Sequence, residues 1–154
     1  MTGKTEKRLA ELGIELPDAA APAANYVPFM RDGDVLYVSG QLPRDDNGLI
    51  TGRLGDTLTA EQGAAAARVC GLYLIAQLRA ACGGDLDRLD QVLKLTGFVN
   101  SIAEFGDQPM VVNGASDLMV EVFGDAGRHA RSAVSAASLP FGVAVEVEGI
   151  FRLK

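Results

Sequence analysis

The chain has few of the side chains that hold metals or cross-link small secreted domains. Among 154 residues there is one histidine, His129, and there are two cysteines, Cys70 and Cys82. A zinc site within one chain would lack ligands, because no Cys/His pair stands at ligand spacing. The cysteines are expected in one helix, where twelve residues at about 1.5 Å of rise each set them roughly 18 Å apart, too far to bridge. Positive charge is also scarce: 14 Lys+Arg against 20 Asp+Glu leave a net charge of -6. A phosphate backbone is repelled by that balance, so nucleic acid is not an expected partner. No run approaches about 18 consecutive apolar residues, and the N-terminus has no apolar signal region. The expectation is a cytoplasmic protein with no membrane partner.

What is present suits one ordinary globular domain. Hydrophobic residues make up 48% and charged residues 22%, and a chain of this length buries roughly 70% of the surface its unfolded form exposes, with no need of disulfides or metal. No repeat or low-complexity segment divides it. Residues 1–24 read as an N-terminal helix and linker, and residues 25–154 as the domain proper. Thr5 to Leu12 form a short charged helix with Leu9 and Leu12 on one side, expected at the surface. Asp18 to Ala24, DAAAPAA, cannot hold a regular helix past Pro22 and should run extended.

From Asn25 the pattern changes to period two. NYVPFM, the turn Arg31-Asp32-Gly33-Asp34 and VLYVSG make a hairpin signal, followed by turn residues and a short third strand at Leu49 to Gly52. Thr59-Ala60-Glu61-Gln62 fits a capping box opening an Ala-rich helix that Gly83-Gly84 stops. Gln91 to Val99 reads as a strand. Pro109 to Phe123 returns to helical spacing, with Asp107 and Gly124 as ends and Val112, Ala115, Met119 and Val122 on one face. Strands at Ser132 to Ser138 and Val143 to Phe151 close the chain. The expected fold is α+β, in the order β-β-β-α-β-α-β-β. One sheet carries two helices on one face, and apolar side chains such as Val145 and Val147 leave surface on the other for oligomerisation.

Chemistry is expected where an arginine opens an apolar strand. Arg131 is costly to desolvate without an anionic partner. On the last strand Glu146 and Glu148 share one face by the period-two rule, close to the arginine's strand. Arg131 can grip a substrate carboxylate in bidentate fashion while Glu146 orients water or moves a proton. The same residues also fit an internal Arg–Glu ion pair. Ser39 lacks a nucleophile elbow, His129 beside Arg128 and Arg131 fits a packing or surface residue, and Gly33, Gly48 and Gly52 form no phosphate-binding fingerprint. Tyr26 and Tyr37 fall at strand positions that suit core or interface, and Asn113 on mid-helix is free to point into solvent.

Tyr26-Val27, Val38-Ser39-Gly40-Gln41-Leu42-Pro43, Phe98-Val99, Asn113, Ala130-Arg131-Ser132, Leu139-Pro140 and Val145-Glu146-Val147-Glu148 together resemble the RidA/YjgF-like reactive intermediate deaminase family, a group once named for an L-PSP endoribonuclease. The resemblance covers most of the chain. It implies a chorismate-mutase-like fold, a homotrimer with clefts between subunits, and cofactor-free hydrolysis of 2-imino and enamine acids such as 2-aminoacrylate to 2-keto acids and ammonia. That is the 2-iminobutanoate/2-iminopropanoate deaminase type of hydrolase. By the resemblance Arg131 holds the carboxylate, Glu146 positions the water, and Tyr26, Ser39 and Asn113 line the cleft; Ala133 stands where the deaminases commonly carry cysteine. His129 replaces a proline of the best-known members, and the N-terminal helix matches a less studied, divergent subgroup. The other readings are a non-catalytic module for keto acids or similar small carboxylates and, less favoured by the net charge, an endoribonuclease.

Overall fold

The computed structural model describes residues 3–21 and 24–154. Helix α1 (Lys4–Glu11) is followed by strands β1 (Phe29–Asp32) and β2 (Val35–Gln41), two-residue strands β3 (Arg44–Asp45) and β4 (Gly48–Leu49), and helix α2 (Ala60–Ala81). Strand β5 (Leu89–Asn100), helix α3 (Gln108–Phe123) and strands β6 (Ala130–Ala136) and β7 (Val145–Leu153) complete the chain. Among the described residues the main sheet runs β1-β2-β7-β5-β6. The architecture is the expected α+β one, with α2 and α3 on one face.

The elements begin and end for local reasons. Thr59 Oγ1 accepts from the Gln62 backbone N–H at 3.2 Å, and Gln62 Oε1 accepts from the Thr59 N–H at 2.8 Å, which completes the capping box of α2. Asp107 and Gly124 bound α3, with Pro109 in its first turn where a missing N–H costs nothing. Gly33 supplies the positive φ, +59°, of the two-residue β1–β2 turn. Strand β1 starts at Phe29, later than the period-two pattern suggested, because Pro28 has no N–H to donate. Tyr26 therefore precedes the strand instead of lying on it. The third strand is displaced too: β3 and β4 form a separate ribbon, and Thr51 keeps only a bridge to Val143.

The core lies between the sheet and the helix pair. Leu36, Leu95, Val145, Val147 and Phe151 point into it from the strands, and Leu74, Ile75, Leu78, Leu118 and Met119 from the helices. Val145 and Val147 both belong to this inner side, so they are not the apolar surface of the far face. That far face carries Glu146, Glu148, Ile150 and Arg152 of β7, alternating with the buried set, and the exposed Met30 and Tyr37 stand on it in register with Ile150.

Helix α1 is more than a surface attachment. Leu9 is 3% exposed and belongs to the core. The α1 N-terminus is capped from outside: Asp87 accepts from the Lys4 N–H at 2.7 Å and from the Thr5 N–H at 2.8 Å and hydroxyl at 2.7 Å. Gly3 makes room for that carboxylate, since a Cβ there would press on it. Of the expected extended stretch Asp18–Ala24, Pro22 and Ala23 lie outside the described residues; before them, Gln77 donates to the Ala20 carbonyl at 3.0 Å and ties the segment to α2. Cys70 sits inside α2 and Cys82 at its C-cap, both free and buried. No helix among the described residues is long and apolar enough to cross a membrane.

Candidate functional site

Strand β6 lies at the sheet edge, parallel to β5 and joined to it by α3. Register decides where its side chains go. Arg131 continues the row Val38, Gly149, Leu95, which is the helix side of the sheet. Its stem lies along the core edge, and its head reaches α3. There Nη1 donates to Asn113 Oδ1 at 2.7 Å and to Ser116 Oγ at 3.2 Å. Asn113 thus stays exposed, as its mid-helix position suggested, while its amide oxygen accepts from the arginine. Gly114, next in sequence, lies so close to the Ala64 carbonyl of α2 that a Cβ would collide with it. Ala133 follows on the same side of β6, half-buried and packed on the core.

Arg131 makes no ion pair among the described residues, so the internal Arg–Glu pair is not formed. A guanidinium has five N–H donors. Two belong to Nη1 and are spent on Asn113 and Ser116; the Nε and Nη2 edge has no protein acceptor among the described residues. That edge is the fork that matches a carboxylate.

Glu146 lies elsewhere. It is in register with Phe98, three residues from Leu95 on an unbroken stretch of β5, so it stands on the opposite face of the sheet from Arg131, with β5 between their strands. Glu146 and Glu148 do share one face. Across from them β2 bulges: Ser39 and Gly40 together oppose one residue of β7. Glu146 folds onto Gly40, where an added Cβ would meet its carboxylate carbon at 2.9 Å. Burial pushes the Glu146 carboxyl above the ordinary glutamate range, and the neighbouring Glu148 charge pushes the same way.

Ser39 anchors the strand entry beside this carboxylate. Its hydroxyl donates to the Val27 carbonyl at 2.8 Å, and its N–H to the Pro28 carbonyl at 2.9 Å. The segment so held presents Tyr26, 57% exposed, to a cleft of about 170 Å³ shared with Gly40, Tyr73 and Phe141. Phe141 is 79% exposed and has φ +58°, ψ 14°, a left-handed conformation that costs a bulky residue about 1–3 kcal/mol. Cys70, behind Glu146 in the core, donates its S–H to the Val145 carbonyl at 3.7 Å, and burial raises its thiol far above the range in which a thiolate forms.

The six expected site residues thus fall into two groups. Arg131, Asn113 and Ala133 lie on the helix side at the β6 edge; Glu146, Ser39 and Tyr26 lie at the β2–β7 bulge. Residue patterns passed over Ser116 and Phe141. Ser116 was legible in principle, three residues from Asn113 and so on the same helix face. Phe141 was not, because nothing in Leu139-Pro140-Phe141-Gly142 marks which residue takes the positive φ.

A family described as "YjgF/chorismate_mutase-like, putative endoribonuclease" matches residues 6–148. Protein TCP17 of Trypanosoma cruzi is 53% identical over 154 residues, covering 99% of this chain and 96% of that one. The crystal structure of Atu1372, a protein of unknown function from Agrobacterium tumefaciens, is 46% identical with a TM-score of 0.90, over 97% of this chain and 92% of that one. RidA of the Antarctic bacterium Psychrobacter sp. PAMC 21119 is 26% identical with a TM-score of 0.58, over 88% of this chain and 94% of that one.

Proposed function

The chain belongs to the YjgF/RidA family, and we propose that it is a cofactor-free deaminase that hydrolyses 2-imino and enamine acids to 2-keto acids and ammonia. The observation that carries this reading is the Nε/Nη2 edge of Arg131, which has no acceptor among the described residues while two acceptors hold Nη1. A small carboxylate docks there through two parallel charge-assisted hydrogen bonds.

Glu146 supplies the proton transfers. A carboxyl with a raised affinity for protons suits a group that must both accept and give one near neutral pH. Water adds to the imine carbon and loses a proton to Glu146. Glu146 passes that proton to the nitrogen to complete the carbinolamine, then takes the hydroxyl proton and delivers it to the nitrogen as the C–N bond breaks, so that the ketone and ammonia leave and the carboxylate is restored. An enamine enters the same sequence after a proton is added at its terminal carbon. The imine is already electrophilic, so anchoring it next to an oriented water supplies most of the rate gain.

Arg131 and Glu146 lie on opposite faces of one sheet, so this chemistry requires the two groups of residues to meet across protomers. A homotrimer with clefts between subunits does this, as the family resemblance implies. The exposed Met30, Tyr37 and Val134 on the sheet's open face favour such an assembly, since burying them is worth about 25 cal/mol per Å². The separation also favours a second reading: if no interface unites the groups, Arg131 alone makes a binding module for keto acids. A net charge of -6 weighs against an endoribonuclease.

The experiment is keto acid release from imines generated in situ by an amino acid oxidase, with wild-type protein and with Arg131→Ala. Acceleration that the variant loses while keeping its assembly supports the deaminase. No acceleration, with pyruvate binding retained, selects the binding module.

A further inference from the structure

The chain's one histidine has no part in the chemistry above, yet it is joined to Arg131. His129 Nδ1 lies 2.6 Å from the Gly127 carbonyl oxygen, and Nε2 lies 2.8 Å from Ser116 Oγ. Ser116 Oγ is in turn the acceptor, at 3.2 Å, of an Arg131 Nη1 hydrogen. A carbonyl oxygen only accepts, so Nδ1 carries the hydrogen. With the other tautomer, two lone pairs would face each other across 2.6 Å. The neutral ring then offers Nε2 as an acceptor, and the Ser116 hydroxyl must donate to it. The serine oxygen is left with its lone pairs toward Arg131. Every hydrogen in the chain Arg131, Ser116, His129, Gly127 thus points one way, and every link is satisfied.

The imidazole matters because of where Ser116 sits. A serine inside a helix ordinarily turns its hydroxyl back to the carbonyl four residues earlier, here that of Val112. His129 competes for that hydrogen and draws the hydroxyl away from the helix backbone. We infer that His129 is a positioning residue for the anchor arginine: it orients the Ser116 hydroxyl, which with Asn113 occupies both hydrogens of Nη1 and leaves the Nε/Nη2 edge as the fork for a 2-imino or 2-keto acid carboxylate. The inference rests on Arg131 being the carboxylate anchor. Without the imidazole, Ser116 rotates to Val112, Nη1 loses one acceptor, and the guanidinium samples orientations that do not match the carboxylate.

The test measures the pyruvate dissociation constant by calorimetry, and KM and kcat for imine turnover, in His129→Leu, His129→Gln and Ser116→Ala. Losing one hydrogen bond to a charged group predicts that His129→Leu and Ser116→Ala each raise Kd and KM by at least about tenfold, with kcat within about twofold. Combining them should add little, because they break one chain. Glutamine can offer its carboxamide oxygen where Nε2 stood, so His129→Gln should recover most of the binding. With a single histidine in the sequence, the ¹⁵N imidazole spectrum reports one ring, expected protonated at Nδ1 and bare at Nε2.

An Nε2-protonated ring, or unchanged Kd and KM in both His129→Leu and Ser116→Ala, would overturn the inference. So would a loss confined to kcat, or a glutamine variant no better than leucine. Should His129→Leu not fold, Ser116→Ala and the spectrum decide. Arg131→Ala separates the premise: if that variant binds pyruvate like the wild type, the anchor reading fails, whereas the ring's tautomer still reports on the hydrogen-bond chain itself.

Discussion

Gly40 and Glu146 are packed so that a Cβ on residue 40 would displace the Glu146 carboxylate: the β2 bulge brings the Gly40 backbone against the carboxylate of the facing strand. An alanine Cβ there meets only the Glu146 side chain, which can move to admit it. Gly40→Ala should therefore push the carboxylate out of position. Imine turnover is expected to fall by at least about tenfold, the effect of misplacing a proton-transfer group. The far-ultraviolet spectrum should stay native. Turnover within twofold of wild type would show that Glu146 does not act from this position.

Glu146→Gln should separate stability from activity. Its carboxyl is raised by burial and by Glu148, so the folded state holds the proton more tightly than the unfolded chain does. Ionisation of Glu146 accordingly destabilises the fold at neutral pH, and stability is regained as pH falls through the raised value. The glutamine variant should melt slightly higher than wild type at pH 7, converge with it in acid, and lose turnover at every pH. Melting curves at several pH values together with the imine assay check this.

Gly114→Ala tests how α3 carries Asn113 and Ser116 to Arg131. Alanine gains up to about 1 kcal/mol of helix propensity over glycine. A collision with the backbone carbonyl of Ala64 opposes it, and overpacking of this kind costs about 1–3 kcal/mol and forces the helices apart. The collision should win, because the atom it meets is main chain and cannot rotate away. The melting temperature should fall by about 2–4 °C for each kcal/mol lost, and pyruvate binding should weaken as α3 shifts.

Acid should release α1 before the rest of the fold. Hydrogen bonds from the Thr5 side chain, then from the Thr5 and Lys4 backbone, hold Asp87 below the ordinary aspartate value. The stabilisation is present above the unfolded value of about 3.9 and is lost as pH falls through the lowered one. Asp87→Asn should mimic that loss at neutral pH. Amide hydrogen exchange is expected to speed up over Lys4–Glu11, with Leu74 and Leu118 in the core still protected.

What could be read from the residues alone was whatever neighbours in sequence decide. Thr59 and Gln62 satisfy each other across three residues, Asp107 and Gly124 bracket a 3.6-residue pattern, and the alternation around Glu146 and Glu148 assigns both to one face. Arg131 stands out among apolar neighbours for the same reason, since its desolvation cost needs no knowledge of the fold. Period two says that faces alternate within a strand; it does not say how two strands align. The face of Arg131 relative to Glu146 depends on the registers of β6 on β5 and of β5 on β7, which pair residues far apart in the chain. Asn113 reached the arginine only because β6 packs beside α3, and His129 met Ser116 for the same reason. Local chemistry marked the reactive side chains, and tertiary packing alone divided them between the two faces of the sheet.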